Sequence, residues 1–432
     1  MKPSFDLIVI LLFRLWQAGA GLVTTLLAVH FLTAEEQGWY YSFTSMAAFY
    51  TLFELGLSSV LIQVSAHSFS NASWSADYRI EGANAAYCSA LTGRAFHWYG
   101  MMAAAFWLLM LPGGYLFFSS QHADQTLNWL QPWVAICSFT ALSLLSIPFL
   151  AILEGSGQIT RVYIVRLLQI MCGSVLCWAA FFLHGGLWAT VMAPAIAMLL
   201  PAGWLLLKRK NLLLTAVQNR SATFAWRQEI WPLQLRLALN WLCGYLLTQI
   251  NIPLLFHMQG AVVAGKLGLS LAIVNTISLL SQSWLTRRVP AMALAAANKD
   301  WHLLDTTFRR NFMRSLSMFI GMASVALLLV SLFPQVRFVQ RLLDLPDFAG
   351  LLAYTLANQF IGGLTVQLRS FKREPFLLLI VSTTVVAVIG TLIVVPRYSV
   401  SGMIAVLDSI YIFINIPVAL LLWRRYNRDW RV

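Results

Sequence analysis

Two ionisable side chains lie where charge is expensive. Arg14 sits inside the apolar run 5–32, followed by Trp16, Gln17 and the small patch Ala18-Gly19-Ala20-Gly21. Glu54 sits inside the second apolar run, 39–65, within Phe53-Glu54-Leu55-Gly56-Leu57. A guanidinium suits phosphate through charge-assisted, often bidentate hydrogen bonds. A carboxylate in a membrane span suits an ion pair or proton coupling. The turn Thr33-Ala-Glu-Glu-Gln-Gly38 joins the two runs. Counted from Gly38 at ~1.5 Å per residue, the depths of Arg14 and Glu54 differ by only about 5 Å. Adjacent antiparallel helices would therefore bring the two together. One outcome is a structural ion pair. The other is a site where Arg14 meets an acidic substrate and Glu54 releases it.

Further candidates are spread along the chain. Trp16 and Trp241 are the aromatic rings to test for sugar stacking, with Gln17 beside the first. Lys266 opens the eighth apolar run, where it guides an anionic head group or snorkels to the interface. Arg166 and Arg236 stand at the starts of runs on the basic side, as attractors of substrate or as ordinary anchors. Asp408 lies in the last run with Asn415 two turns on. Glu54 and Asp408 are the candidates for proton or cation coupling. The seven His and five Cys residues show no ligand spacing, so no metal is expected. No Walker loop, nucleophile elbow or pair of catalytic carboxylates is present. Neither ATP hydrolysis nor covalent catalysis is expected, and no cofactor is implied.

The elements that must position these residues are membrane helices. The chain has 432 residues, of which 59% are hydrophobic and 10% charged. Its mean hydropathy is +0.73. A soluble chain carries about 25% charged residues, so this one has too little polar surface to cover itself. It reads as an all-α polytopic membrane protein. Hydropathy predicts about twelve spans, at 5–32, 39–65, 95–118, 133–153, 162–183, 187–207, 237–257, 261–285, 312–333, 350–368, 376–395 and 402–423. The first is read as a retained helix rather than a signal peptide, because it is long, contains Arg14 and has no cleavage site.

The net charge of +13 follows the same plan. With the N-terminus in the cytoplasm, only Lys266, Arg337, Arg341 and Arg397 fall on outer loops. The other Lys and Arg residues, Arg14 apart, lie on the cytoplasmic side, as the positive-inside rule requires. This accounts for the basic balance without nucleic acid. An even number of spans follows, with both termini inside. The most basic break, 208–236, carries Trp226 and Trp231 and suits an interfacial helix on anionic headgroups. It divides the chain into a six-helix lobe 1–207, a linker 208–236 and a six-helix lobe 237–432. Aligning Gly38 with Gly265 gives the two halves a similar layout, as in parallel transporter repeats.

The turn Thr33–Gly38, the element Glu54-Leu55-Gly56-Leu57 and the turn Leu153-Glu154-Gly155-Ser156-Gly157-Gln158 resemble those of polysaccharide flippases. These belong to the multidrug/oligosaccharidyl-lipid/polysaccharide exporter (MOP) superfamily. Ala34 stands where the family often has proline and Gln37 where it has an aromatic. Ala264-Gly265-Lys266 resembles the family's Ala-Gly-Gln at the start of helix eight. The resemblance implies a MATE-like, V-shaped pair of six-helix lobes working by alternating access in a bacterial inner membrane. It implies a lipid-linked saccharide of the polyprenyl pyrophosphate type, or a polysaccharide, as the partner, besides membrane lipids. Arg14 would then meet the pyrophosphate.

The expected function is therefore a flippase or exporter. The alternative is a proton- or cation-coupled drug or metabolite antiporter of the same superfamily, for which Glu54 and Asp408 speak and Arg14 does not. A membrane glycosyltransferase or polymerase would need a long loop with acidic or His residues. The long breaks here are basic instead.

Overall fold

The computed structural model describes residues 5–120, 127–219, 225–371 and 376–430. Nine helices among the described residues are long and apolar enough to cross a membrane, and a tenth if the bent pair Ala34–Glu54 and Leu57–Asn71 is one span. The last of them, Leu377–Asp429, has 53 residues. At ~1.5 Å per residue it would be about 80 Å long, more than twice the ~30 Å hydrocarbon layer. It breaks at Ser399, whose φ of 53° and ψ of −144° leave the helical region. Leu345–Arg369 is more polar and contains Asp347, Asn358, Gln359 and Gln367. With the long helix divided and this one included, all twelve expected spans fall on helices. The chain is an all-α polytopic membrane protein. Two spans start earlier than hydropathy predicts, at Ala85 and Trp301. Their first turns carry Arg94, Asp305 and Arg309, which lower hydropathy without breaking a helix.

Contacts divide the chain into two compact units. The first comprises Met1–Leu32 with Phe43–Tyr245, the second Thr33–Ser42 with Leu246–Val432. In the first, Ile159–Phe182 packs on Phe5–Phe31 and on Ala189–Lys208, and Leu57–Ser68 packs on Ile147–Gly155. The basic segment joins this unit through Lys210–Gln218, which buries Leu212 and Ala216 against Phe149, Leu150, Leu153 and Val162. In the second, Ala261–Thr286 packs on Trp301–Leu332 and Leu345–Arg369.

The three short motifs each have a structural task. At the first turn, the Thr33 N–H donates to Glu36 Oε2 at 2.8 Å, and the Glu36 N–H donates to Thr33 Oγ1 at 3.1 Å. This reciprocal capping box satisfies orphan donors at the start of Ala34–Ala47. Thr33→Ala is expected to cost about 0.5–2 kcal/mol in a thermal melt, and Thr33→Ser much less. Next to it, the Gln37 side chain donates to the Gly265 carbonyl at 2.9 Å. A Cβ on Gly38 would strike the Ala261 backbone, and one on Gly265 would lie 2.9 Å from the Gly38 nitrogen. The two glycines that align in the halves thus touch each other, within the second unit.

The second motif is a hinge in the chain. Leu55 and Gly56 both adopt left-handed φ, 47° and 74°, and end one helix before the next begins at Leu57. The two helices meet at 42°. A Cβ on Gly56 would also strike the Trp241 indole. Gly56→Ala is expected to cost about 1–2 kcal/mol from the left-handed backbone alone, with the displaced indole added. A lowered melting temperature, with Leu55→Gly unchanged or raised, checks this.

In the third motif, Gly155 lets Ile147–Gly155 approach the backbone of Leu57–Ser68, where a Cβ would meet the Ile62 carbonyl and Ser65. Ser156 Oγ accepts from the Trp74 indole at 2.9 Å. Trp74 belongs to a small antiparallel hairpin, Ser73–Trp74 with Ile80–Glu81, that hydropathy leaves as loop. At its tip Tyr78 receives a hydrogen bond from Arg161, and the Arg209 guanidinium lies 3.3 Å from the centre of its ring. Burial lowers the pKa of Arg209, Tyr78 raises it in part, and Arg161 lowers it again.

Candidate functional site

Helix breaks put polar side chains on the inside of the first unit. Residues 145–146 interrupt the path before Ile147–Gly155, with Pro148 in its first turn, and residues 55–56 interrupt the path before Leu57–Ser68. Between these elements and Ile159–Phe182 lies a cavity of about 470 Å³. Glu54, Arg166, Gln169, Ser58, Thr140 and Ser143 are among its walls, and Tyr50 and Phe13 are its aromatic side chains.

Glu54 is half-buried. Its Oε1 accepts from the Ser58 N–H and from the Tyr99 hydroxyl, both at 3.2 Å. Arg166 is held by Glu154 at 2.9 Å, with the two side chains 28% and 15% exposed. Its guanidinium also lies over the Tyr163 ring at 5.3 Å. The cavity thus presents one carboxylate, one guanidinium that already has a partner, and a set of hydroxyl and amide groups. Such walls can hydrogen-bond a hydrated cargo.

The pairing expected from depth differs from the one found. Helical rise fixes height along the axis but not the direction in which a side chain projects. Arg14 is exposed, with its guanidinium over the Phe13 ring at 5.7 Å. Glu54 shares its cavity with Arg166 instead. Gln17 is exposed. Trp16 donates to Ser174 Oγ at 3.1 Å and lies 6.2 Å from the Trp178 ring, so it ties Phe5–Phe31 to Ile159–Phe182. Trp241, although 45% exposed, packs its indole against Gly56. Arg236 falls in Trp231–Thr248, and its side chain lies outside the described residues.

The remaining candidates belong to the second unit. Lys266 pairs with Asp344 at 3.3 Å. Asp408 is half-buried, and its Oδ1 is buried without a hydrogen-bond partner. Its Oδ2 would lie 3.0 Å from a Cβ on Gly350, so a glycine lets this carboxylate approach Leu345–Arg369. Asn415 ends the π-helical turn Ile410–Asn415 and accepts from the Thr383 hydroxyl at 2.8 Å. It lines a separate cavity of about 320 Å³ with Gln282, Asn358, Gln359 and Ser315. Gln359 is 4% exposed; it accepts from Ser281 Oγ and donates to Ser315 Oγ, each at 3.0 Å.

Residues near Glu54 and Arg166 that the sequence reading passed over are Tyr50, Ser58, Tyr99, Thr140, Ser143, Gln169 and Glu154. Only Glu154 carried a usable signal, an acid in the otherwise apolar stretch Ile147–Gly155.

No family model and no curated protein matches the sequence. Solved structures do match. An inward-facing multidrug resistance MATE family transporter of the MOP superfamily aligns with a TM-score of 0.64 and 16% identity, over 98% of both chains. The lipid II flippase MurJ, in an inward closed conformation, aligns with a TM-score of 0.60 and 14% identity, over 99% of this chain and 91% of MurJ. The chain has the MOP-superfamily fold. A third MOP transporter, from Pyrococcus furiosus Vc1, aligns with a TM-score of 0.58 and 15% identity over 98% and 94% of the two chains. The reverse polarity of that transporter's binding pocket suggests a different function for it. The shared fold therefore spans nearly the whole chain.

Proposed function

We propose that this chain is a transporter of the MOP type. Its cargo is a lipid-linked or polymeric saccharide, moved from the cytoplasmic to the outer face of a bacterial inner membrane. The two units act as lobes, with both termini and the basic segment 208–236 on the cytoplasmic side. The observation that carries this reading is the lining of the cavities. Serine, threonine, asparagine and glutamine side chains dominate their polar walls, and aromatic rings are few. Ligand sites in general set a few orienting polar groups among apolar side chains, and both cavities follow that pattern. A hydroxyl-rich cargo needs the donors and acceptors found here. Arg166, when it leaves Glu154, offers a guanidinium to a phosphate oxygen. Glu54, the carboxylate among the hydroxyls of that cavity, is the coupling residue. Arg14, Asp408 and Lys266 act outside it, as an interfacial cation, a helix contact and an ion pair.

The antiporter reading draws on Glu54, a carboxylate among hydroxyls in the same cavity. The two readings separate in liposomes. The expected result is protein-dependent translocation of a labelled polyprenyl-pyrophosphate saccharide, with no proton-linked efflux of an organic cation. Cation efflux that Glu54→Gln abolishes, without saccharide translocation, would replace this reading with the second.

A further inference from the structure

The cargo cavity leaves a charge problem. Its guanidinium, Arg166, is already paired with Glu154, and Glu54 adds a second carboxylate. A phosphorylated cargo therefore meets little net positive charge there. A different cavity of the first unit has the opposite balance.

This cavity, of about 580 Å³, is walled by Arg94, Trp98, Trp226, Arg227, Gln228 and Trp231. Arg94 and Trp98 come from the first turns of Ala85–Ser119, and the others come from the basic segment before and within Trp231–Thr248. Among the described residues, no carboxylate lines it. Both guanidiniums are exposed, and neither has an ion-pair partner among the described residues. The carboxylate of this segment, Glu229, is occupied by the Tyr87 hydroxyl. The Trp98 and Trp226 rings lie 5.7 Å apart at a tilt of 32°. The Trp98 indole N–H is buried with no acceptor, and the Trp231 ring is 43% exposed.

Two guanidiniums without acids suit a phosphate or pyrophosphate. Flat indoles at the same site offer an apolar face and an N–H to the ring of a sugar. We propose that this cavity is a loading site for the phosphorylated saccharide headgroup of the cargo, used before the headgroup enters the Glu54 cavity. The proposal rests on the saccharide reading above, and its test is independent of translocation. The same phosphate chemistry is present in ordinary anionic lipid headgroups, so the experiment separates the two sources.

The full chain in phosphatidylcholine nanodiscs is titrated with N-acetylglucosamine 1-phosphate, N-acetylglucosamine and inorganic pyrophosphate, and binding is read by saturation-transfer NMR and calorimetry. The phosphate ester is expected to bind at least about tenfold more tightly than the free sugar. Arg94→Gln and Arg227→Gln should each weaken the ester and pyrophosphate about tenfold. Trp231→Leu should weaken the ester and leave pyrophosphate unchanged. These side chains are exposed, so the variants are expected to melt like the parent. Equal binding of sugar and ester, or no loss in the arginine variants, would overturn the proposal. So would full displacement of the ester when phosphatidylglycerol is added to the nanodisc, because the site would then serve common anionic lipids. Loss of translocation with ester binding intact would count against the transport reading and leave this site standing.

Discussion

Gly38→Leu is expected to give no folded protein in a detergent-solubility or thermal-melt measurement. Gly38 is buried, and a Cβ there would overlap the carbonyl of Ala261, a backbone atom that cannot swing aside. On the other side of the contact, Gly265 approaches the Gly38 nitrogen and Gly268 faces the Tyr41 ring. Small residues let membrane helices come this close, and close packing is what holds them together in lipid. Overpacking a filled site costs about 1–3 kcal/mol when neighbours can adjust. Here the neighbour is backbone, so the cost exceeds that range. Gly19→Leu is the control, because a Cβ at Gly19 would meet nothing within 4 Å. It should melt like the parent. Equal stability of both variants would contradict the close contact.

Arg166→Gln is expected to lower saccharide translocation by about thirtyfold, the equivalent of one charge-assisted contact of ~2 kcal/mol. The same change leaves Glu154 without its ion-pair partner, a loss of about 1–3 kcal/mol of stability for a half-buried carboxylate. The two effects can be separated. In the double variant Glu154→Gln with Arg166→Gln, two neutral amides face each other, and the melting temperature should largely recover. Translocation should not recover, because the phosphate still lacks its guanidinium. Glu154→Gln alone frees Arg166 and should preserve translocation. Recovery of transport in the double variant would make the pair structural only.

The sequence carried the helices and their order because hydropathy over some twenty residues is a strong signal, and all twelve expected spans fall on helices. It also carried the glycine turns, although their tasks needed coordinates. The motif at Gly56 is a left-handed break closed by Trp241, and the one at Gly155 is a close helix approach. The capping box at Thr33 emerged only with the structure, because Thr33–Gly38 reads in sequence as a short polar turn. The Arg14–Glu54 pairing was inferred from height, but in the structure Arg14 is exposed and Glu54 accepts from Ser58 and Tyr99, with Arg166 across the same cavity paired to Glu154. Height along a span follows from counting residues, whereas azimuth depends on packing partners that hydropathy does not see. The polar lining at Ser58, Thr140, Ser143 and Gln169 was hidden for a related reason. Isolated hydroxyls and amides are common in membrane helices, and only the breaks near residues 55 and 145 turn these four toward one space.

The most direct test of the account is a cavity-filling substitution measured in the liposome assay. Ala197 lines the Glu54 cavity and is half-buried. Ala197→Trp places a large ring where the hydrated cargo would sit. The account predicts that the reconstituted variant stays folded and loses translocation of the labelled polyprenyl-pyrophosphate saccharide. Translocation at the parental rate through the filled cavity would contradict it.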